Sequence, residues 1–217
     1  MVYDLSHPIE PSMQTFPGDP DVSLAATREF AIDGYRVREL GCGSHTGTHV
    51  DAPAHTERDG RALEEFPIER FVLETVRVDC LDLSARDPIL PDRVPESDVD
   101  CVVFHTGWDD HWETDRYLDH PYLSPETARR CVREGYAVGT DTLNPDPTPS
   151  PNAREAEPDG APAHHALLGD DRLIFENLTG LDRVPERFEL RAHPLPIGGD
   201  GAPVRAVGVV DPDDKPS

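Results

Sequence analysis

Apolar residues in this chain come in short runs, set apart by stretches rich in proline, glycine and acids, and most of the runs have strand periodicity. Val2 to Leu5 is a short strand candidate. Val22 to Phe30 and Tyr35 to Leu40 flank Asp33-Gly34, a hairpin signal, and the second strand leads straight into a histidine-rich segment. A site there is expected at a strand end. Glu74 to Leu81 is apolar at alternate positions (Val76, Val78, Cys80) and reads as a strand. Cys101-Val102-Val103-Phe104 and Tyr136-Ala137-Val138-Gly139 are continuous apolar runs, as in strands buried on both faces. Between them, Ser124-Pro125-Glu126 opens a helix with a serine cap and proline in the first turn, and Gly135 closes it. Strand, helix and strand in this order predict a βαβ crossover. Leu173 to Leu178, Phe188 to Ala192 and Val204 to Val210 are further strands, and His164 to Leu168 is a short helix. Asp82 to Asp98 is expected to be a surface connection. Asn144 to Pro162, with six prolines, has no periodicity and reads as an irregular loop of the kind that covers an active site or moves.

Length adds one domain to this picture: 217 residues suffice for a single sizeable core. We expect that domain to span residues 1–210, followed by a flexible acidic tail at 211–217. Charge then narrows the partners. Forty-three acids against 20 bases give a net charge of −23, spread along the whole chain, which opposes nucleic acid and anionic membrane surfaces. Lys215 is the one lysine. Such a solvated acidic surface suits very high salt, so a halophilic source is expected. Cys42, Cys80, Cys101 and Cys131 form no Cys-x-x-Cys pair and read as small buried apolar residues in a reducing compartment, with a supporting place beside the histidines as the alternative for Cys42. No basic-then-apolar leader and no membrane-spanning run is visible, so a cytoplasmic protein is expected.

The candidate chemistry lies in Gly43-Ser44-His45-Thr46-Gly47-Thr48-His49-Val50-Asp51-Ala52-Pro53-Ala54-His55. His49 and Asp51 are two apart, so an extended backbone puts both on one face. Gly47 permits a sharp turn that folds His45 back beside them. Imidazole and carboxylate ligands suit zinc, manganese or iron, and catalytic metals keep an open position. His55 can overhang such a site without ligating. Scattered surface histidines are the plainer alternative. Glu176 is an acid in an apolar strand and needs a partner, a metal or a proton. Phe16, on the rigid Phe16-Pro17-Gly18-Asp19-Pro20 turn, is either a plain loop residue or an aromatic wall for a substrate. Trp108 reads as core or interface, with a substrate wall as the alternative. Asp141 either supports a ligand histidine or caps the turn that follows it. His7, His105, His111, His120 and His193 read as surface or internally satisfied histidines.

The run His45-x-Gly47-Thr48-His49-x-Asp51-x-Pro53-x-His55 resembles the signature of the cyclase family of metal-dependent hydrolases, which includes bacterial kynurenine formamidases and isatin hydrolases. Asp4-Leu5-Ser6-His7-Pro8, Pro17-Gly18-Asp19, Thr106-Gly107-Trp108, Gly139-Thr140-Asp141-Thr142 and His164-x-x-Leu167-Leu168 followed by Glu176-Asn177-Leu178 extend the resemblance over almost the whole chain. It implies an α/β fold: a single domain with a mixed β-sheet of swivelling β/β/α type and a few flanking helices. It also implies two divalent metals, zinc or alternatively manganese. His45, His49 and Asp51 would hold the first, and Asp51, His164 and Glu176 the second, with His55 as acid/base. His165 competes with His164 as ligand, and the spacing to Leu167-Leu168 and Glu176 favours His164. The isatin-hydrolase branch places glutamine where Glu176 stands, which leans the resemblance towards the formamidases. The implied reaction is hydrolysis of an amide, best N-formylkynurenine to kynurenine and formate in tryptophan catabolism, by a small-molecule enzyme that forms homodimers or homotetramers. Hydrolysis of another cyclic amide or lactone, and a catalytically silent metal-binding protein, are the alternatives. No Gly-x-Ser-x-Gly motif supports a serine nucleophile.

Overall fold

A computed structural model describes residues 1–211. In chain order the strands are β1 (Val2–Asp4), β2 (Ser23–Arg28), β3 (Val37–Gly41), β4 (His49–Asp51), β5 (Val72–Asp79), β6 (Pro88–Ile89), β7 (Cys101–His105), β8 (Tyr122–Leu123), β9 (Ala137–Thr140), β10 (Ile174–Glu176), β11 (Arg187–Arg191), β12 (Gly201–Pro203) and β13 (Val207–Val209). The helices are α1 (Phe30–Asp33), α2 (Pro125–Glu134) and α3 (Pro162–Leu168).

The two continuous apolar runs become β7 and β9, adjacent and parallel at the centre of one mixed sheet ordered β1-β13-β11-β5-β7-β9-β10-β4-β12. β5, β7, β9 and β10 run parallel, and antiparallel strands flank them on both sides. Alternation along β7 serves two cores. Val102 and Phe104 pack with Ala128 and Cys131 of α2 and Leu167 of α3, whereas Cys101 and Val103 face the other way. That second core also takes Leu5, just past β1, and Ala202 of β12. Residues beside opposite edges of the sheet share it, so the sheet curls around its own interior. This is an α/β domain with a few helices.

Helix α2 keeps the expected limits. The Ser124 hydroxyl accepts from the Thr127 amide, Pro125 sits in the first turn, and Gly135 closes the helix at φ 88°. Such a cap contributes about 1 kcal/mol.

Several expectations change. β2 and β3 do form a hairpin, but a helical turn, α1, lies between them. The pair is a separate two-stranded sheet, and no residue of β3 is buried. The histidine segment therefore does not continue a core strand: His49 to Asp51 make their own strand, β4, inside the main sheet. Cys42 follows β3 away from the core and is exposed, whereas Cys80, Cys101 and Cys131 are buried. The surface connection from Asp82 to Asp98 contributes β6 and buries Ile89 and Val94. β12 had no signal in the sequence because Gly201-Ala202-Pro203 is too short and too poor in branched residues to read as a strand. Of the expected tail at 211–217, Asp211 is exposed and the rest lies outside the described residues.

The proline-rich loop has no strand or helix before Pro162, as expected, yet it is held by buried polar contacts. Arg86 donates to Glu157 Oε1 at 2.6 Å, to the Thr148 carbonyl at 3.1 Å and to Ser150 Oγ at 3.2 Å. His120 is buried with Nδ1 2.7 Å from the Pro121 carbonyl and Nε2 2.8 Å from Thr148 Oγ1. A carbonyl only accepts, so Nδ1 carries the proton and Nε2 accepts from Thr148. Burial is the main cause that lowers the His120 pKa from 6.5 to about 4. The unfolded chain therefore takes up this proton first as pH falls. Stability from this group is complete above about pH 6.5 and declines towards pH 4, by roughly 3 kcal/mol in full. Denaturation midpoints measured from pH 7 to 4 should fall more steeply for the native protein than for His120→Gln; parallel curves would refute this role.

Candidate metal centre

β4 is three residues long and fully buried. Val50 takes the interior face, so His49 and Asp51 leave together from the other. Register then supplies the neighbours. On one flank Glu176 of β10 stands directly opposite His49. On the other, Gly201 of β12 stands opposite Asp51. Gly47, at φ 61°, makes the turn that brings the His45 ring to 5.1 Å from that of His49, centroid to centroid.

These side chains converge. Asp51 Oδ1 lies 2.7 Å from His45 Nδ1 and 3.2 Å from His49 Nε2. Asp51 Oδ2 faces His164 Nε2 at 3.6 Å. Glu176 is 3.2 Å from both His49 Nε2 and His164 Nε2. Two sets of metal-capable atoms result, His45/His49/Asp51 and Asp51/His164/Glu176, with the atoms of each set within 4.8 Å of one another. Asp51 belongs to both. A third set joins His45, His55 and Asp200.

Outer contacts orient the imidazoles. His49 Nδ1 donates to the Gly47 carbonyl at 2.8 Å, which leaves Nε2 to face the carboxylates. Asn177 Nδ2 donates to the same carbonyl at 3.0 Å, and the Tyr117 hydroxyl donates to Asn177 Oδ1 at 2.9 Å. Asp146 does double service. It accepts from the Ala163 and His164 amides in the first turn of α3, and its Oδ2 accepts from His164 Nδ1 at 2.7 Å. This is the carboxylate–histidine arrangement that commonly backs a ligand imidazole.

The electrostatics ask for a cation. Burial opposes charge on His49, but Asp51 and Glu176 outweigh it and push its pKa up to about 10. Burial likewise opposes charge on His164, yet Asp146, Asp51 and Glu176 raise its pKa well above the usual value. Asp51 is held well below the carboxylate range: burial would raise it, and His49, His164 and His45 reverse that. Even so, His49 Nε2, Asp51 Oδ2 and Glu176 Oε1 are buried without any hydrogen-bond partner. Unpartnered nitrogen and oxygen atoms that share one space fit a divalent cation.

The structure thus brings together His45, His49, Asp51, His164 and Glu176, with the exposed His55 beside them, its ring 3.9 Å from that of His45. His165 points elsewhere, to Glu57 at 2.8 Å. A cavity of about 320 Å³ opens over the cluster, and Phe16, 36% exposed, forms part of its wall. Pro147, Pro158, Asp159 and Gly160 of the proline-rich loop line the other side. Trp108 is buried in a small apolar cluster with Tyr117 and Leu143. Asp141 fits neither alternative. It accepts from the Thr106 amide and hydroxyl and the Gly107 amide, so it holds the turn after the neighbouring strand β7. Asp146 and Asp200 escaped the sequence reading. Asp146 sits in a loop without periodicity. Asp200 did carry a signal, an acid among the glycines 198, 199 and 201.

The family described as "Putative cyclase" matches residues 3–147. A kynurenine formamidase of Salinibacter ruber is 35% identical over 216 residues, covering 94% of this chain and 95% of the relative. Isatin hydrolase A from Ralstonia solanacearum superimposes with a TM-score of 0.85 at 26% identity, covering 97% of this chain and 92% of that one. A potential metal-dependent hydrolase with cyclase activity superimposes with a TM-score of 0.77, also at 26% identity, over 98% of this chain and 99% of that one. The chain belongs to the cyclase family of metal-dependent hydrolases.

Proposed function

We propose that this protein hydrolyses N-formylkynurenine to kynurenine and formate with two divalent metals, zinc or alternatively manganese. The observation that carries the reading is the convergence of His49 Nε2, Asp51 Oδ2 and Glu176 Oε1, buried and unpartnered, beside a cavity that His49 and Glu176 line. The kynurenine formamidase relative supports the substrate. His45, His49 and Asp51 would hold one metal and Asp51, His164 and Glu176 the other. Bound there, the metals would polarise the formyl carbonyl and lower the pKa of water to about 7.

The chain's own groups do the rest. Partial burial of the ring against the cluster is the main cause that lowers the His55 pKa below its ordinary 6.5, which favours the neutral form able to accept a proton from the attacking water. It returns that proton to the departing aryl nitrogen, which leaves as the amine while the formyl carbon leaves as formate. Phe16 offers a flat apolar wall for the aryl ring. Hydrolysis of a cyclic amide is the second reading, favoured by the isatin hydrolase likeness at 26% identity. A silent metal-binding protein is the third, and the placement of His55 at the open side of the cluster, where it is not needed to hold metal, weighs against it.

The same reading places the protein in the cytoplasm of an organism adapted to high salt, as a homodimer or homotetramer. No helix among the described residues is long and apolar enough to cross a membrane. The exposed Phe30, Ile32, Tyr35, Val37 and Leu40 of the hairpin support self-association.

Protein purified in molar salt with zinc or manganese should turn over N-formylkynurenine in preference to isatin and simple lactones. His55→Ala should lower kcat by about 10²- to 10⁴-fold with metal content and melting temperature unchanged. An active His55→Ala enzyme would remove His55 from the chemistry, and a native protein inert towards every substrate would favour the silent reading. Glu176→Gln should lower the metal content from two per chain towards one, read by elemental analysis after dialysis; unchanged stoichiometry would remove Glu176 from the ligands.

A further inference from the structure

We infer that Asp200 is a positioning residue for both His45 and His55, a single carboxylate that ties the metal ligand to the acid/base. The inference deepens the hydrolase reading and rests on it. Asp200 Oδ2 lies 3.0 Å from His45 Nε2 and 3.8 Å from His55 Nδ1. The other nitrogen of His45, Nδ1, faces Asp51. A carboxylate only accepts, so a His45 that ligates through Nδ1 keeps its proton on Nε2 and donates it to Asp200. The His55 ring is tilted by 40° against that of His45. With Nδ1 turned towards Asp200, His55 has Nε2 left for the reacting atoms.

The backbone around Asp200 is built to hold it there. Its carbonyl accepts from the Ala52 amide at 2.8 Å, one residue beyond β4. The Gly199 carbonyl accepts from the Leu63 amide at 2.8 Å, and the Gly199 amide donates to Glu64 Oε2 at 2.9 Å. Gly201 then passes so close to the site that a Cβ there would lie 2.8 Å from His45 Cε1 and 2.8 Å from the Val50 carbonyl oxygen. Only glycine lets β12 run this near the imidazole. The Asp200 carboxylate contacts His45, His55 and Ser44, and among the described residues no lysine or arginine pairs with it. Its partners are therefore the site and its approach, which sets it apart from the acids that form surface ion pairs.

The test compares Asp200→Ala and Asp200→Asn in the full chain, alone and combined with His55→Ala. Zinc affinity is measured by competition with a chelator, and kcat and KM at saturating zinc. Asp200→Ala should weaken zinc binding about 10- to 100-fold. It should also lower kcat about tenfold or more, with KM changed by less than about threefold. Asp200→Asn keeps an accepting oxygen and should recover part of both losses. In the His55→Ala background, Asp200→Ala should lower kcat no further. Unchanged zinc affinity in a folded variant, or losses that multiply in the double variant, would overturn the proposal. If Asp200→Ala does not fold, Asp200→Asn decides alone: wild-type zinc affinity and kcat there also overturn it. A native protein that hydrolyses no amide would instead defeat the hydrolase reading, while zinc affinity still reports on the pairing of Asp200 with His45.

Discussion

Two carboxylates are taken out of water beside the cavity, Asp51 at 0% and Glu176 at 4% exposure, and among the described residues no arginine or lysine pairs with either. Burying such charge costs several kcal/mol per group unless positive charge meets it. The raised pKa values of His49 and His164 let protonated imidazoles meet part of that charge, and a divalent cation at the unpartnered atoms would meet more of it. The shortness of β4, the glycine turn before it and the glycine passage across from it all serve this one requirement: anionic oxygen and neutral nitrogen aimed at common points, with water kept behind them.

Polar pins do the supporting. Asp146 places His164 and satisfies the first turn of α3 with the same two oxygens. Asn177 and Tyr117 fix the carbonyl that fixes His49. Arg86 and His120 hold the proline-rich loop from beneath. A segment without strand or helix leaves backbone groups without regular partners, and buried side chains must take their place. The cover of the cavity is therefore anchored by side chains rather than by strand or helix, although its composition reads as loose.

Legibility in the sequence followed the local character of each signal. β7, β9 and α2 were readable because apolar runs, a serine cap and a terminal glycine act within a few residues. The His45-to-Asp51 cluster was readable for the same reason: strand alternation and one glycine decide it. That His49 to Asp51 form a separate strand was not legible, because strand membership depends on partners more than 100 residues away, at β10 and β12. β12 itself lacked propensity and exists through its pairing with β4. Asp146 and Asp200 are invisible to periodicity, since each acts through a contact made only once distant segments meet. His164 came from resemblance, whereas Glu176 was also marked by its own setting, an acid in an apolar strand, and the structure sets it in register with His49.

The sheet has a kinetic side. β1 pairs with β13, Val2 against Val209, and β4, from the first half of the chain, takes both its neighbours, β10 and β12, from the second. His45 and Asp200 are 155 positions apart. Closing such long loops costs entropy before any contact repays it, and folds dominated by distant pairings form slowly. The early histidines can meet among themselves soon after collapse, but the complete cluster cannot exist until the far strands have docked. A cation that waits for the finished cluster would bind as a late event, and its uptake would time the arrival of the last strands.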